Sequence, residues 1–325
     1  LKFAIRDDNR RYAMGQIRVF TACLMAFFIL IACSSSPDKK EPETAKAIEL
    51  DERFNAYWYK GKAELTRFEL QQSRYGELRS GDAVLIFVTE DFWANKQVKY
   101  EFGDKTEAVL PILKLNFTRT FNTGIYPYSM MTSIFSPVQK EQSLKVSMTS
   151  QEWCGHAFGQ LNLREGEYIG QLRSYFQAEG DREYRVQPDL LEDEVWTRIR
   201  LNPWSLPTGT IDVVPGMQFE RLAHTDPGAY KAVAERDQIR NETFSKNLIE
   251  VYRLTYEDLP RVLEVYYEPV FPHRILGWEE RFRPVRLGSD EWKVTRAVRT
   301  HEIMSDYWSR NSVADSLLRG ELGLK

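Results

Sequence analysis

Residues 63–70 read Ala63-Glu64-Leu65-Thr66-Arg67-Phe68-Glu69-Leu70, a partial alternation of apolar and polar side chains. A period of two is what a half-buried β-strand needs, because successive side chains leave opposite faces. Arg74-Tyr75-Gly76-Glu77 and Ser80-Gly81-Asp82 supply turn signals, and residues 83–88 are an unbroken apolar run of strand length. Strand, turn and strand in this order predict a hairpin or meander.

Working outward, residues 109–120 and 143–148 repeat the pattern, and residues 159–187 hold three more strand candidates, broken at Glu165-Gly166 and Gly180-Asp181. In the second half, residues 210–214, 217–222, 248–256, 262–267, 273–282 and 292–298 read as strands, and Tyr256-Glu257-Asp258-Leu259-Pro260 as a tight turn between two of them. Residues 190–199 predict a helix, with Asp189 as N-cap, Glu192 in capping-box position, and Leu191, Val195 and Ile199 on one face. Asn202-Pro203-Trp204-Ser205-Leu206-Pro207 must stop it, since proline lacks an amide donor. Residues 303–318 carry a broken apolar stripe that predicts a terminal helix. The class expected is mainly β, a β-rich α+β chain: an antiparallel curved sheet or two packed sheets, with one or two helices.

Composition narrows the function. The chain has 325 residues, 44 Lys+Arg against 47 Asp+Glu, and a net charge of -3. That balance argues against nucleic acid as a partner. Three cysteines exclude a disulfide framework. The charge is uneven: residues 1–32 hold five basic groups (Lys2, Arg6, Arg10, Arg11, Arg18) and two acidic ones, Asp7 and Asp8. This basic stretch leads into an apolar run over residues 19–30, interrupted only by Thr21, and small residues and serines follow. A basic n-region, a short h-region and a small-residue zone make up a secretory signal. At about 1.5 Å per residue the run is short of a ~30 Å hydrocarbon layer, which disfavours a spanning helix.

Leu30-Ile31-Ala32-Cys33 closes the h-region and resembles the lipobox of bacterial lipoproteins. The resemblance implies a diacylglycerol thioether on Cys33, cleavage before it, and anchorage to a membrane. Residues 1–32 are then the signal peptide. Within it, Met14-Gly15-Gln16-Ile17-Arg18 makes a normal start and residues 1–13 read as over-extended. Residues 33–48 open on Ser34-Ser35-Ser36-Pro37-Asp38 and read as a flexible tether. Ser34 after the cysteine resembles outer-membrane sorting, so the expected location is the cell envelope, on an outer-membrane lipoprotein facing the periplasm or the surface. Residues 49–325 form the β-rich envelope domain, with 203–209 as a candidate division between two lobes.

Trp153-Cys154-Gly155-His156, Trp204-Ser205-Leu206-Pro207, Phe219-Glu220-Arg221 and Phe271-Pro272-His273-Arg274-Ile275-Leu276-Gly277-Trp278 resemble parts of an uncharacterised bacterial lipoprotein family whose members are sometimes labelled septum formation inhibitor Maf. True Maf proteins are cytoplasmic nucleotide pyrophosphatases with a Ser-x-Arg-Arg-type motif near the start. This chain lacks that motif there, so no Maf catalytic residue is carried over.

Chemistry-bearing constellations are sparse. Trp153-Cys154-Gly155-His156 looks like a disulfide isomerase site, but position 157 is alanine, so no resolving thiol exists. On a strand, Cys154 and His156 share a face, which makes them the candidate nucleophile and base of an envelope hydrolase; the alternative is a buried cysteine beside a hydrogen-bonded histidine. His224-Thr225-Asp226 and His301-Glu302 each pair a histidine with an acid, without metal-site spacing. Glu192-Asp193-Glu194 and Glu279-Glu280 read either as solvated acids or as half of a catalytic carboxylate pair. Residues 281–299 hold six basic side chains, a candidate patch for anionic headgroups or glycans. Tyr57-Trp58-Tyr59, Tyr126-Pro127-Tyr128 and Tyr266-Tyr267 are core or ligand platforms. The expectation is a non-enzymatic, lipid-anchored protein that binds an envelope protein, lipid or glycan, with no cofactor and no metal. An envelope hydrolase is the alternative.

Overall fold

The hairpin read from residues 63–88 is longer than its alternation implied: β1 (Ala63–Arg74) pairs with β2 (Glu77–Trp93). Tyr75 and Gly76 close it with φ of 54° and 79°. Two successive left-handed residues match the twist of the strands they join. Ser80-Gly81-Asp82 lies inside β2 and is no turn. A Cβ on Gly81 would stand 2.2 Å from the Thr120 carbonyl oxygen, so the glycine lets the neighbouring strand approach.

These positions come from a computed structural model that describes residues 47–104, 106, 108–283 and 290–324. The expected signal peptide, Cys33 and residues 34–46 of the expected 33–48 tether lie outside the described residues, whereas its last two residues are not a tether: Ala47 bridges to Lys140 and Ile48 is buried in the core. So do Arg286 and its neighbours in 284–289.

Among the described residues sixteen strands form one sheet. After β1 and β2 come β3 (Val98–Lys99), β4 (Val109–Thr123), β5 (Tyr126–Pro137), β6 (Lys145–Glu152), β7 (Gly155–Arg164), β8 (Glu167–Ser174) and β9 (Arg182–Val186). The second half adds β10 (Leu190–Leu191), β11 (Gly209–Val214), β12 (Tyr230–Asn241), β13 (Ser245–Tyr256), β14 (Arg261–Tyr267), β15 (Ile275–Phe282) and β16 (Lys293–Ser305). Spatial order runs from β10 through β16 to β1, and on through β9, with β3 beside β2. Among the described residues only β10 and β11 run parallel. The chain is therefore β-rich and antiparallel, and the curved-sheet alternative is the one found. Pro42–Lys325 forms a single compact unit, and the 203–209 segment joins a helix to β11 within it.

The helices are short. α1 (Phe54–Trp58) precedes β1, α2 (Val195–Leu201) and α3 (Met217–Ala223) flank β11, and α4 (Leu318–Glu321) follows β16. The predicted 190–199 helix is shifted and split. Leu190 and Leu191 pair with β11, Glu192–Glu194 make a 3-10 turn, and α2 starts only at Val195. Asp189 caps no helix, since its carboxylate accepts the Asp212 amide. Residues 217–222, read as a strand, are α3. Residues 303–318 are not one helix: β16 runs on to Ser305, and 3-10 turns lead to α4. β5 and β12 had no counterpart in the sequence reading.

Every residue of α2 is buried. Trp196 meets Phe117 of β4 and Trp278 of β15 edge-on at 5.1 Å each, so the sheet curls far enough for strands four places apart to grip one helix. The main core gathers around this contact. At the far end of α2, Arg200 pairs with Glu64 of β1 and stands over the Trp58 and Phe87 rings. Burial alone would raise the Glu64 pKa; Arg200 and the Tyr57 hydroxyl outweigh it and hold the carboxylate below its ordinary value. Among the described residues no helix is long and apolar enough to cross a membrane.

Candidate functional site

Antiparallel pairing brings one set of turns to the same end of the curled sheet. The β1–β2, β4–β5, β6–β7 and β8–β9 connections lie there, with the β13–β14 turn and the ends of β15 and β16 that flank residues 284–289. α3 sits across this mouth, its Gln218 amide donating to Phe117 O and Thr132 Oγ1 at 3.1 Å each. Between α3 and the strands β1, β14, β15 and β16 lie two adjoining cavities of about 440 and 670 Å³, which share Ala223, Arg261 and Phe282. Together they make a groove: the smaller cavity has apolar walls in Phe219, Leu222 and Phe282, and the larger is walled by the β13–β14 turn with Glu257, Asp258 and Leu259.

Its floor is charged and paired. Arg261 bonds both oxygens of Glu192 and, at 3.2 Å, one oxygen of Glu280. Arg119 takes the other Glu280 oxygen, and Tyr256 donates to Glu192 at 2.7 Å. Two guanidinium groups thus neutralise two carboxylates. Burial would raise the Glu280 pKa, and Arg119 and Arg261 hold it below the usual range instead. Glu192 also explains Gly216, where a Cβ would come within 2.7 Å of its Oε1.

Glu192, Asp193 and Glu194, read as solvated acids, are all buried, because the 3-10 turn carries them inside the sheet. Burial raises the Asp193 carboxyl from 3.8 to about 7, against a backbone bond from Met217 N–H and with the charge of Glu192 adding. Of these charged groups Arg261 and Glu280 face the groove, and Glu192, Arg119 and Asp193 lie behind them.

One cation at the groove differs from the rest. Arg74, at the end of β1, is 5% exposed and has no carboxylate partner among the described residues. It donates to the Leu222 carbonyl and, at 3.2 Å each, to the Tyr75 and Tyr128 hydroxyls. Its Nε is buried without a partner. The guanidinium stacks 4.3 Å from the centre of the Tyr75 ring.

The rim around the mouth is apolar. Consecutive hairpin connections carry Tyr75, Ile125, Trp153 and Tyr175, exposed by 55, 83, 68 and 76%. Tyr126 stacks on Trp153 at 6.3 Å.

Cys154 lies at this rim, while His156 lines a separate shallow cavity of about 430 Å³ that Cys154 does not line. Both are exposed, Cys154 in the β6–β7 turn and His156 on β7 opposite Gln151. A bond with Glu152 raises the thiol pKa, with burial and the Glu152 charge adding and Arg221 only partly opposing. That environment disfavours the thiolate a nucleophile needs. His224 pairs with Glu179 at 2.6 Å, and among the described residues no three His, Cys, Asp or Glu side chains are placed to hold a metal. The basic run at 281–299 is offset by acids: Arg281 by Glu264, Arg283 by Asp290, Lys293 by Glu291, Arg296 by Glu279 and Arg299 by Glu268. Trp58, Tyr128, Tyr266 and Tyr267 are core, while Tyr59 is exposed. Sequence reasoning missed Arg74, Arg261 and α3. The only signal for Arg74 was its place beside a turn.

No protein-family model, no curated protein and no solved structure matches this chain.

Proposed function

We propose that this protein is a lipid-anchored envelope protein that binds rather than catalyses, and that the mouth end of its sheet is the binding face. The exposed apolar tips on four consecutive hairpin connections carry the reading. Tyrosine and tryptophan combine a large apolar body with a polar tip, and they concentrate where a protein meets a membrane interface or an amphipathic partner. An apolar rim of this kind on a soluble face marks an interaction site. The paired floor of the groove supports binding over catalysis, because its charged groups already neutralise one another. The partner class is lipid. The hydrolase alternative draws little support from Cys154, whose thiol is pushed up by Glu152.

Two measurements test the two halves of the reading. Labelled palmitate should enter the wild-type chain and not Cys33→Ser; equal labelling of both would remove the anchor. The compact unit from Pro42 onward should co-sediment with phospholipid vesicles, and Trp153→Ser with Tyr175→Ser should lower the bound fraction severalfold. Unchanged sedimentation would remove the rim as a lipid-facing surface.

A further inference from the structure

The groove floor is electrically closed: Arg119 and Arg261 against Glu192 and Glu280. Arg74 stands outside that balance. Its hydrogen-bond partners are one carbonyl and two phenols, all neutral. A buried guanidinium normally has a carboxylate, because an uncompensated charge away from water is costly. Leu222 lies in the last turn of α3, and the partial negative charge of a helix C-terminus offsets only part of a full positive charge. The Nε–H is left without an acceptor. Arg74 also lines the 440 Å³ cavity whose walls are Phe219, Leu222 and Phe282. The other cation on that lining without a place in the floor network, Lys293, pairs with Glu291.

We infer that the groove is a seat for a single-chain anionic amphiphile, whose acidic head meets Arg74 and whose alkyl chain lies along Phe219, Leu222 and Phe282. The inference rests on the mouth being a binding face and names the ligand class. Three observations fit together here. The cavity volume is that of a small-molecule site, and Phe219, Leu222 and Phe282 give it an apolar wall facing its polar residues. The one cation without an acid supplies the complement to an anion, and charge-assisted bonds are about twice as strong as neutral ones. The apolar rim, to which Tyr75 belongs, is where a molecule leaving a lipid surface would enter. A carboxylate and a phosphate monoester offer the same chemistry to Arg74, so the head group is defined here only as an acid.

The test uses three probes with one tail: decanoate, decyl phosphate and decanol, titrated by calorimetry into the chain from Pro42 onward at constant salt. Decanoate or decyl phosphate should bind about tenfold or more tighter than decanol, and the acid that binds better identifies the head group. Arg74→Met should remove that preference while leaving decanol affinity within about twofold, and Arg74→Lys should keep part of it. Phe282→Ala should weaken all three probes alike. If Arg74→Met does not fold, the wild-type preference and Arg74→Lys still decide. Equal wild-type affinity for decanol and both acids would overturn the anion seat while leaving the mouth as a binding face. Absence of binding by all three probes would overturn the groove as an amphiphile site. Loss of vesicle sedimentation in the rim variants is read separately, so the two proposals fail independently.

Discussion

Asp193 shows how one buried side chain sets a pH dependence. Its folded pKa of about 7 lies above the ordinary 3.8, chiefly through burial. The fold therefore holds this proton more tightly than the unfolded chain does. Its contribution is intact below about pH 4 and is lost as pH rises towards 7. Asp193→Asn keeps an acceptor for the Met217 amide and has no proton to lose. In urea melts the variant should match wild type near pH 4 and exceed it by about 4 kcal/mol at pH 8. Glu64 and Glu280 act with the opposite sign. Their carboxylates are held low by arginines, so they add stability above the usual carboxylate range and lose it as pH falls through their lowered values. Glu64→Gln would leave the Arg200 guanidinium buried without an anion, at a cost of about 3–5 kcal/mol by the same melts. The double change Glu64→Gln with Arg200→Met should recover much of that loss. None of these roles was legible in the sequence. A glutamate in an alternating strand reads as a solvent-side residue, and its partner lies 136 residues away.

At the scale of elements, alternation made the strands legible and short apolar segments did not betray the helices. β1, β4, β13 and β14 all extend runs visible in the sequence, because one face of each meets the core. α3 was read as a strand because Met217-Gln218-Phe219-Glu220-Arg221-Leu222 is too short for periodicity to separate the two. α2 was read at residues 190–199 and lies at Val195–Leu201, but its burial inside the sheet was not legible. A helix inside a curled sheet is buried all round, so its arginines, Arg198 and Arg200, stand in interior ion pairs rather than on a polar face. Ile199→Ala should cost about 2–5 kcal/mol in chemical denaturation, as for other core deletions. Gly81→Val would push a side chain into the Thr120 carbonyl across the β2–β4 ladder. It should destabilise by about 1–3 kcal/mol, and a neutral result would mean that the ladder relaxes there.

For the whole molecule, the β-rich antiparallel class, a curved sheet as one of two alternatives and a helix near residues 190–199 were legible, while the choice of one sheet over two and the place of that helix inside it were not. Curvature depends on contacts such as Phe117–Trp196–Trp278, which join distant parts of the chain. The strand order has a further property. It is the order of the sequence, cut once and rotated. The cut in space falls between β9 and β10, where no ladder forms but residues 187–189 join the strands covalently. The break in sequence falls between β16 and β1, where backbone hydrogen bonds run from Ala63↔Ser305 to Gln71↔Arg296. Nearly every other pairing is between near neighbours in the chain, whereas the seam unites residues such as Arg67 and Thr300, 233 positions apart. Its loop-closure cost is met once, at the seam, and not at every hairpin. A protease cut at Gln187-Pro188-Asp189 would thus sever the covalent link between the β1–β9 and β10–β16 meanders, leaving the β16–β1 ladder and the α2 and α3 contacts to hold them together. The resulting fragments should stay together through the seam and through α2, and separately produced halves should reassemble into a species that unfolds as one.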